Sequence, residues 1–147
     1  MFRAYEYFRE AAPGCGIPNV YRVTGLSRLE ELARSIRETR FPCLAVEVGA
    51  DGILNVLTAH TTESYHTFYV LDTVGDRPED MDRIARIMQE TFQMGEALIR
   101  RMRADASDIT GPCYGLDAAR VTYSSIGPVG MLCYGYGFSF TMTRDHE

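Results

Sequence analysis

Apolar residues recur at three- and four-residue steps over one long stretch in the second half of the chain. The stripe consists of Met81, Ile84, Ala85, Met88, Phe92, Gly95, Leu98, Ile99 and Met102, and Ile87 and Met94 widen it on one flank. This period predicts one amphipathic helix of about 25 to 30 residues. Pro78 and its acidic neighbours favour a helix start before this stripe, because they suit the positive end of the helix dipole.

Two shorter helices are predicted nearer the N-terminus. Residues 2–12 carry an aromatic face, and Pro13 ends that helix. Residues 27–39 form the second, since Ser27 and Glu30 have the spacing of a capping box and apolar residues follow at helical steps. This helix ends before Pro42.

Compact or alternating apolar runs predict strands at residues 43–48, 65–74, 120–126 and 131–142, with a short extended piece at 20–23. Gly127–Gly130 is a turn that joins the last two strands as an antiparallel hairpin. Residues 53–64 are consistent with either a short strand or a loop, and their polar core favours the loop. In the last strand one face carries large apolar residues and the other small ones.

This order of elements predicts an α+β fold. We expect a single, mainly antiparallel sheet with the long helix and two shorter N-terminal helices packed on one face. The length of 147 residues fits one domain over residues 1–147.

Composition narrows the functional classes only slightly. The net charge is −5, and without a basic excess we do not expect nucleic-acid binding. No window approaches the roughly 18 apolar residues of a membrane span, and the first ten residues mix charged with apolar side chains, so we expect a cytoplasmic protein. The four cysteines lie far apart without a Cys-x-x-Cys pair, which predicts free thiols and neither metal nor cofactor.

Two acidic residues lie within otherwise apolar strands. If the strands are neighbours, Glu47 and Asp72 could share a face, raise one another's pKa and, with His66, form an acid/base site for a small molecule. In the alternative, each acid lies near a strand end, solvated or bonded to an arginine, and His66 is structural. The sequence leaves both interpretations open.

A basic cluster ends the long helix. Arg100, Arg101 and Arg103 suit the negative end of the helix dipole. The alternative is a basic patch that binds nucleic acid or protein.

Four short motifs support a resemblance to a known class. They are Pro-Cys-Leu-Ala-Val-Glu at 42–47, Phe-Tyr-Val-Leu-Asp at 68–72, Arg-Arg-Met at 100–102 and Gly-Tyr-Gly-Phe-Ser-Phe at 135–140. Together with the element order, they resemble small structural proteins of phages and prophages, of the tail-completion or tail-terminator type, which form rings at the head–tail junction. The resemblance implies a non-enzymatic subunit that binds itself and other phage structural proteins, in the cytoplasm or in a virion. It transfers no functional residue.

A ring subunit needs heterologous interfaces, so it should offer exposed strand edges or helix flanks to its neighbours. Ile87 and Met94 on the widened helix stripe, Tyr134 and Tyr136 on the last strand, and the aromatic N-terminal helix are the candidate interface residues. A monomer could bury all of them instead.

Overall fold

The computed structural model describes residues 2–34, 39–58 and 60–145. Within them the helices are α1 (Ala4–Ala11), α2 (Leu26–Arg34) and α3 (Met81–Asp105), and a 3-10 turn covers Ala12–Cys15. The strands are β1 (Asn19–Val23), β2 (Cys43–Glu47), β3 (Asp51–Asn55), β4 (Thr61–Thr73), β5 (Thr122–Val129) and β6 (Cys133–Asp145).

All six of these strands belong to one sheet. Its order is β1-β2-β4-β6-β5, and β3 pairs with β4. β1 and β2 are parallel, whereas every other pair is antiparallel. β2 and β3 use successive halves of the same β4 edge: Val46 lies opposite Phe68, and Asp51 lies opposite Tyr65. The predicted α+β class with one mainly antiparallel sheet is confirmed.

The main core lies between one face of the sheet and the helices α1 and α3. Alternation along β4 and β6 places Phe68, Phe138 and Phe140 on this face, where they pack with Phe8 of α1 and Leu98 of α3. These side chains are nearly or fully excluded from water. The large-residue face predicted for the last strand is therefore the main core face.

The second helix lies on the opposite face. Leu29 and Ala33 of α2 pack with Cys43, Ala45 and Leu71, whose side chains point away from α1 and α3. The prediction that all three helices pack on one face is wrong for α2. The reason is topological, because parallel strands such as β1 and β2 need a crossover, and α2 supplies it while covering the small side chains of the second face.

All three helices differ from the predictions at their boundaries, and α1 covers Ala4–Ala11 of the predicted 2–12 helix. α2 begins at Leu26, so Ser27 lies inside the first turn and not at the N-cap. Of the predicted 27–39 helix, residues 35–38 lie outside the described residues. α3 begins after Asp80, whose carboxylate accepts a hydrogen bond from the Arg83 N–H at 3.0 Å. Pro78 therefore precedes this helix and is not part of its first turn.

Most of the strands are longer than predicted, whereas β2 ends one residue earlier than predicted, at Glu47. β4 begins at Thr61, and β3 occupies residues of the region for which a loop was favoured. β5 continues to Val129 through the predicted turn, with a register shift between Ile126 and Val129. The connection between β5 and β6 is therefore shorter than the predicted turn. β6 itself extends to Asp145.

Candidate functional site

The structure separates the three residues of the predicted acid/base site. Glu47 lies on the α2 face of the sheet and accepts a hydrogen bond from the Tyr69 hydroxyl at 2.8 Å. Asp72 and His66 lie on the other face of β4, six residues apart, which separates them by about 20 Å along the strand. Burial, and not the carboxylate of Glu47, raises the pKa of Asp72. The three groups therefore do not converge on one site.

Glu47 does line an open cavity of about 650 Å³, together with Asp51, Tyr65 and Thr67. Its carboxylate is already bonded to Tyr69, and His66 points to the opposite side of the sheet. The cavity therefore holds neither His66 nor Asp72, the partners of Glu47 that the acid/base hypothesis requires.

His66 is a core residue. Its ring stacks on Phe140 with centroids 5.4 Å apart and meets Phe2 edge-on at 5.2 Å. Its Nε2 atom lies 2.7 Å from the Ser64 hydroxyl oxygen. Burial, assisted by the positive charge of Arg144, lowers the pKa of His66 to about 4. The imidazole is therefore neutral at physiological pH, as expected for a structural histidine.

The arginines at the end of α3 make local ion pairs. Arg101 contacts the Asp105 carboxylate at 3.1 Å, and Arg100 contacts Glu96 at 3.4 Å. Asp105 also accepts a hydrogen bond from the Tyr7 hydroxyl at 2.6 Å. Acidic partners thus neutralise two of the three predicted basic residues. These contacts favour a structural role of the arginines at the end of the helix over a patch that binds nucleic acid.

The predicted interface residues belong mostly to the interior. Ile87 is fully buried in a small cluster with Val74, so its assignment to an interface is wrong. Tyr134 packs against the same cluster, and Met94 and Tyr136 are partly buried against the main core. The widened helix stripe covers this additional cluster, and Met81 at the start of α3 stays exposed.

A different segment is apolar and exposed. Ile53, Leu54, Val56 and Leu57 have 57%, 64%, 66% and 86% of their surface exposed. We call residues 51–57, which comprise β3 and the first two residues after it, the β3 edge segment. This segment was not among the predicted sites, although four large aliphatic residues among five consecutive positions are a signal for it in the sequence.

The β3 edge segment also has an open backbone edge. Its inner edge pairs with β4, with Ile53 opposite Glu63. Among the described residues, no strand pairs with its outer edge. Native proteins usually protect such edges with charges or proline, yet its only charged side chain is that of Asp51 at its start. An apolar and unprotected edge is typical of a strand that pairs with another chain.

A small cavity lies against this segment. It has a volume of about 350 Å³, and its lining includes Gly52, Leu54, Thr62 and Ser64. These four residues share one face of the sheet, since Gly52 lies opposite Ser64 and Leu54 opposite Thr62. Glycine is required at position 52, because a Cβ atom there would lie 1.9 Å from the Glu63 carbonyl oxygen of β4.

The fold and this segment together define an α+β protein with an uncovered apolar sheet edge. Within the described ranges no group of three His, Cys, Asp or Glu side chains could hold a metal ion. No described helix is long and apolar enough to cross a membrane. Neither a protein-family model nor a curated protein sequence matches this chain.

Proposed function

We propose that this chain is a non-enzymatic structural protein that associates with itself, in the manner of a phage or prophage tail-completion subunit. The observation that carries the proposal is the uncovered β3 edge segment. Its open backbone edge and exposed side chains favour a role in assembly.

The amount of exposed apolar surface supports this proposal. The four aliphatic side chains of the β3 edge segment present on the order of 300 to 400 Å² of apolar surface, which is comparable to the largest patch of a typical monomer. Covering them would contribute about 1 to 2 kcal/mol for each side chain. A partner that covers this segment therefore gains a substantial part of a binding free energy.

The alternative function, a small-molecule or enzymatic domain, has weaker support. It needs Glu47, Asp72 and His66 at one site, but they lie on two faces of the sheet. Their hydrogen bonds are to neighbouring structural groups. The assembly role requires no convergence of reactive groups.

The phage assignment rests on the resemblance of the motifs and of the order of elements. A ring at the head–tail junction is built from repeated contacts between identical subunits, and the β3 edge segment offers surface for such a contact. The genes beside this one provide the test of origin. Capsid, portal or tail genes would support the assignment, and a cluster of metabolic genes would contradict it.

Light scattering after size-exclusion chromatography tests self-association. We expect the full chain to elute as a multiple of its 16.5 kDa mass, and the double variant Leu54→Ser, Leu57→Ser to elute as a monomer. The matched control is Met81→Ser, Ile109→Ser, because these side chains are 70% and 74% exposed outside the segment. The control should assemble like the wild type. A monomeric wild type at every concentration would overturn the proposal.

A further inference from the structure

We propose that the open part of the second sheet face binds a neutral oligosaccharide, one sugar ring of which stacks on Tyr65. This inference goes beyond the proposed assembly role, does not depend on it and involves no reaction. α2 covers the part of this face around Cys43 and Leu71, whereas the part around Tyr65 borders two open cavities.

The two cavities meet at Tyr65. One has a volume of about 650 Å³ and is bordered by residues 24–25, just before α2, and by residues 47–51. The other has a volume of about 570 Å³ and is bordered by residues 119–122 and 139–141. Each volume lies within the range of about 300 to 1,000 Å³ that is usual for small-ligand sites. Because Tyr65 lines both cavities, they form one groove across β4 and β6, which we call the Tyr65 groove.

The ring of Tyr65 is available to a ligand. Tyr65 is 40% exposed although it lies within a strand of the sheet. Within the described part of the chain it packs against no other aromatic ring, and its hydroxyl has no hydrogen-bond partner. Other tyrosines of the sheet are engaged, since Tyr69 donates to Glu47 and Tyr136 packs on Phe92. An exposed aromatic ring with a polar tip offers packing to the C–H face of a sugar and a hydrogen bond to its hydroxyls.

Hydroxyl side chains form the floor of the Tyr65 groove. Thr67 of β4, Ser139 of β6 and Thr122 of β5 lie opposite one another in one row across three strands. Thr67 Oγ1 lies 2.9 Å from Ser139 Oγ. Thr141 lies directly beside Tyr65 in the next row. Each of these hydroxyls donates and accepts hydrogen bonds, as the hydroxyls of a sugar do, whereas an apolar ligand would leave them unpaired.

The charges of the groove favour a neutral ligand over an anionic one. Glu47 and Asp51 line the larger cavity, and their carboxylates accept hydrogen bonds from hydroxyl groups. Arg120 is the one basic residue among those that line the two cavities in the described structure. It already pairs with Glu63 at 3.7 Å and with Asp117 at 3.5 Å. A phosphate or an acidic peptide would therefore meet two carboxylates and no unpaired cation.

Isothermal titration calorimetry of the full chain with maltotetraose, cellotetraose and chitotetraose tests the proposal. We expect at least one of these neutral tetrasaccharides to bind with a Kd of about 1 mM or lower. Tyr65→Ser should weaken this binding about tenfold or more, because it removes the stacking surface. The matched control is Tyr114→Ser, since Tyr114 is 46% exposed and lies outside the Tyr65 groove. This control should bind the sugar like the wild type.

The failure of this proposal is distinguishable from failure of the proposed function. Absence of binding for all three sugars at about 10 mM would overturn the proposal, as would equal affinities of the wild type and Tyr65→Ser. Tighter binding of spermidine than of any sugar would assign the groove to a cation and would also overturn it. Thr122→Arg, at an exposed position of the floor, is a second variant that should block the sugar if Tyr65→Ser fails to fold by circular dichroism. Self-association in light scattering should be unchanged in both variants.

Discussion

The buried His66 makes the stability of this protein depend on pH in a predictable direction. The imidazole is 4% exposed and lies between the rings of Phe2 and Phe140. Burial lowers its pKa from 6.5 to about 4 in the folded chain, whereas the unfolded chain keeps the ordinary value. The unfolded state therefore binds the proton first as the pH falls. The free energy of unfolding is largest above about pH 6.5 and decreases down to about pH 4.

The size of this effect follows from the two pKa values of His66. The full difference corresponds to about 3 kcal/mol, since each pKa unit is worth about 1.4 kcal/mol. The range from about pH 7.5 to pH 4.5 covers most of this difference but stops above the pKa of the folded state. Over this range we therefore expect His66 to account for a loss of about 2 kcal/mol.

Urea unfolding at these two pH values measures the effect. The control is His66→Gln, which keeps an amide near the Ser64 hydroxyl but does not titrate. Carboxyl groups such as Asp72 titrate in both proteins and cancel in the comparison. The wild type should lose about 2 kcal/mol more than the variant on acidification. An equal loss in both would refute the assignment of a buried neutral imidazole.

Two further predictions concern the packing of the sheet. Gly95→Ala should lower the free energy of unfolding by about 1 to 3 kcal/mol, because the added methyl group would meet the Phe138 ring. The control is Gly14→Ala, whose methyl group would face open space and should change the free energy of unfolding by less than about 1 kcal/mol. Chemical denaturation of both variants checks this, and equal effects would contradict it. Tyr69→Phe should cost about 1 kcal/mol because it removes the hydrogen bond to Glu47. A double-mutant cycle with Glu47→Gln should show coupling, and strictly additive losses would exclude the bond.

The long helix and the central strands could be predicted from the sequence because their periodicity is strong. The stripe from Met81 to Met102 places one face of α3 on the sheet, and the alternation in β6 separates Phe138 and Phe140 from the small residues between them. One-sided burial imposes such patterns on a sequence. These elements were predicted with the correct type, whereas β4 begins four residues before its predicted start and β6 ends three residues after its predicted end.

The position of α2 and the existence of β3 could not be obtained in this way. α2 covers the second sheet face through a parallel crossover, and no local pattern states on which face a helix packs. β3 has no alternation because Ile53 and Leu54 are exposed on opposite faces of the strand. The local sequence therefore carries no signal for a strand at this position, and β3 is a strand because it pairs with β4.

The candidate site was misplaced for a related reason. Ile87 widens the helix stripe, and a widened stripe is compatible with either an interface or a second buried cluster. The structure shows the second cluster, with Val74 and Ile84. Glu47 and Asp72 were predicted as a pair because each acid lies within an apolar strand. Whether two such side chains share a face of the sheet depends on the register of the strands, which no local sequence pattern fixes.

Hydrogen exchange of the wild-type chain at several concentrations tests the central claim most directly. Among the described residues no strand pairs with the outer edge of β3, so the outward amides of Asp51–Asn55 become hydrogen-bonded to a strand there only when another chain pairs with this edge. We predict that their exchange slows as the concentration rises, while amides of the exposed loop at residues 107–110 keep the same rate. Concentration-independent exchange throughout residues 51–57 would contradict self-association through this segment.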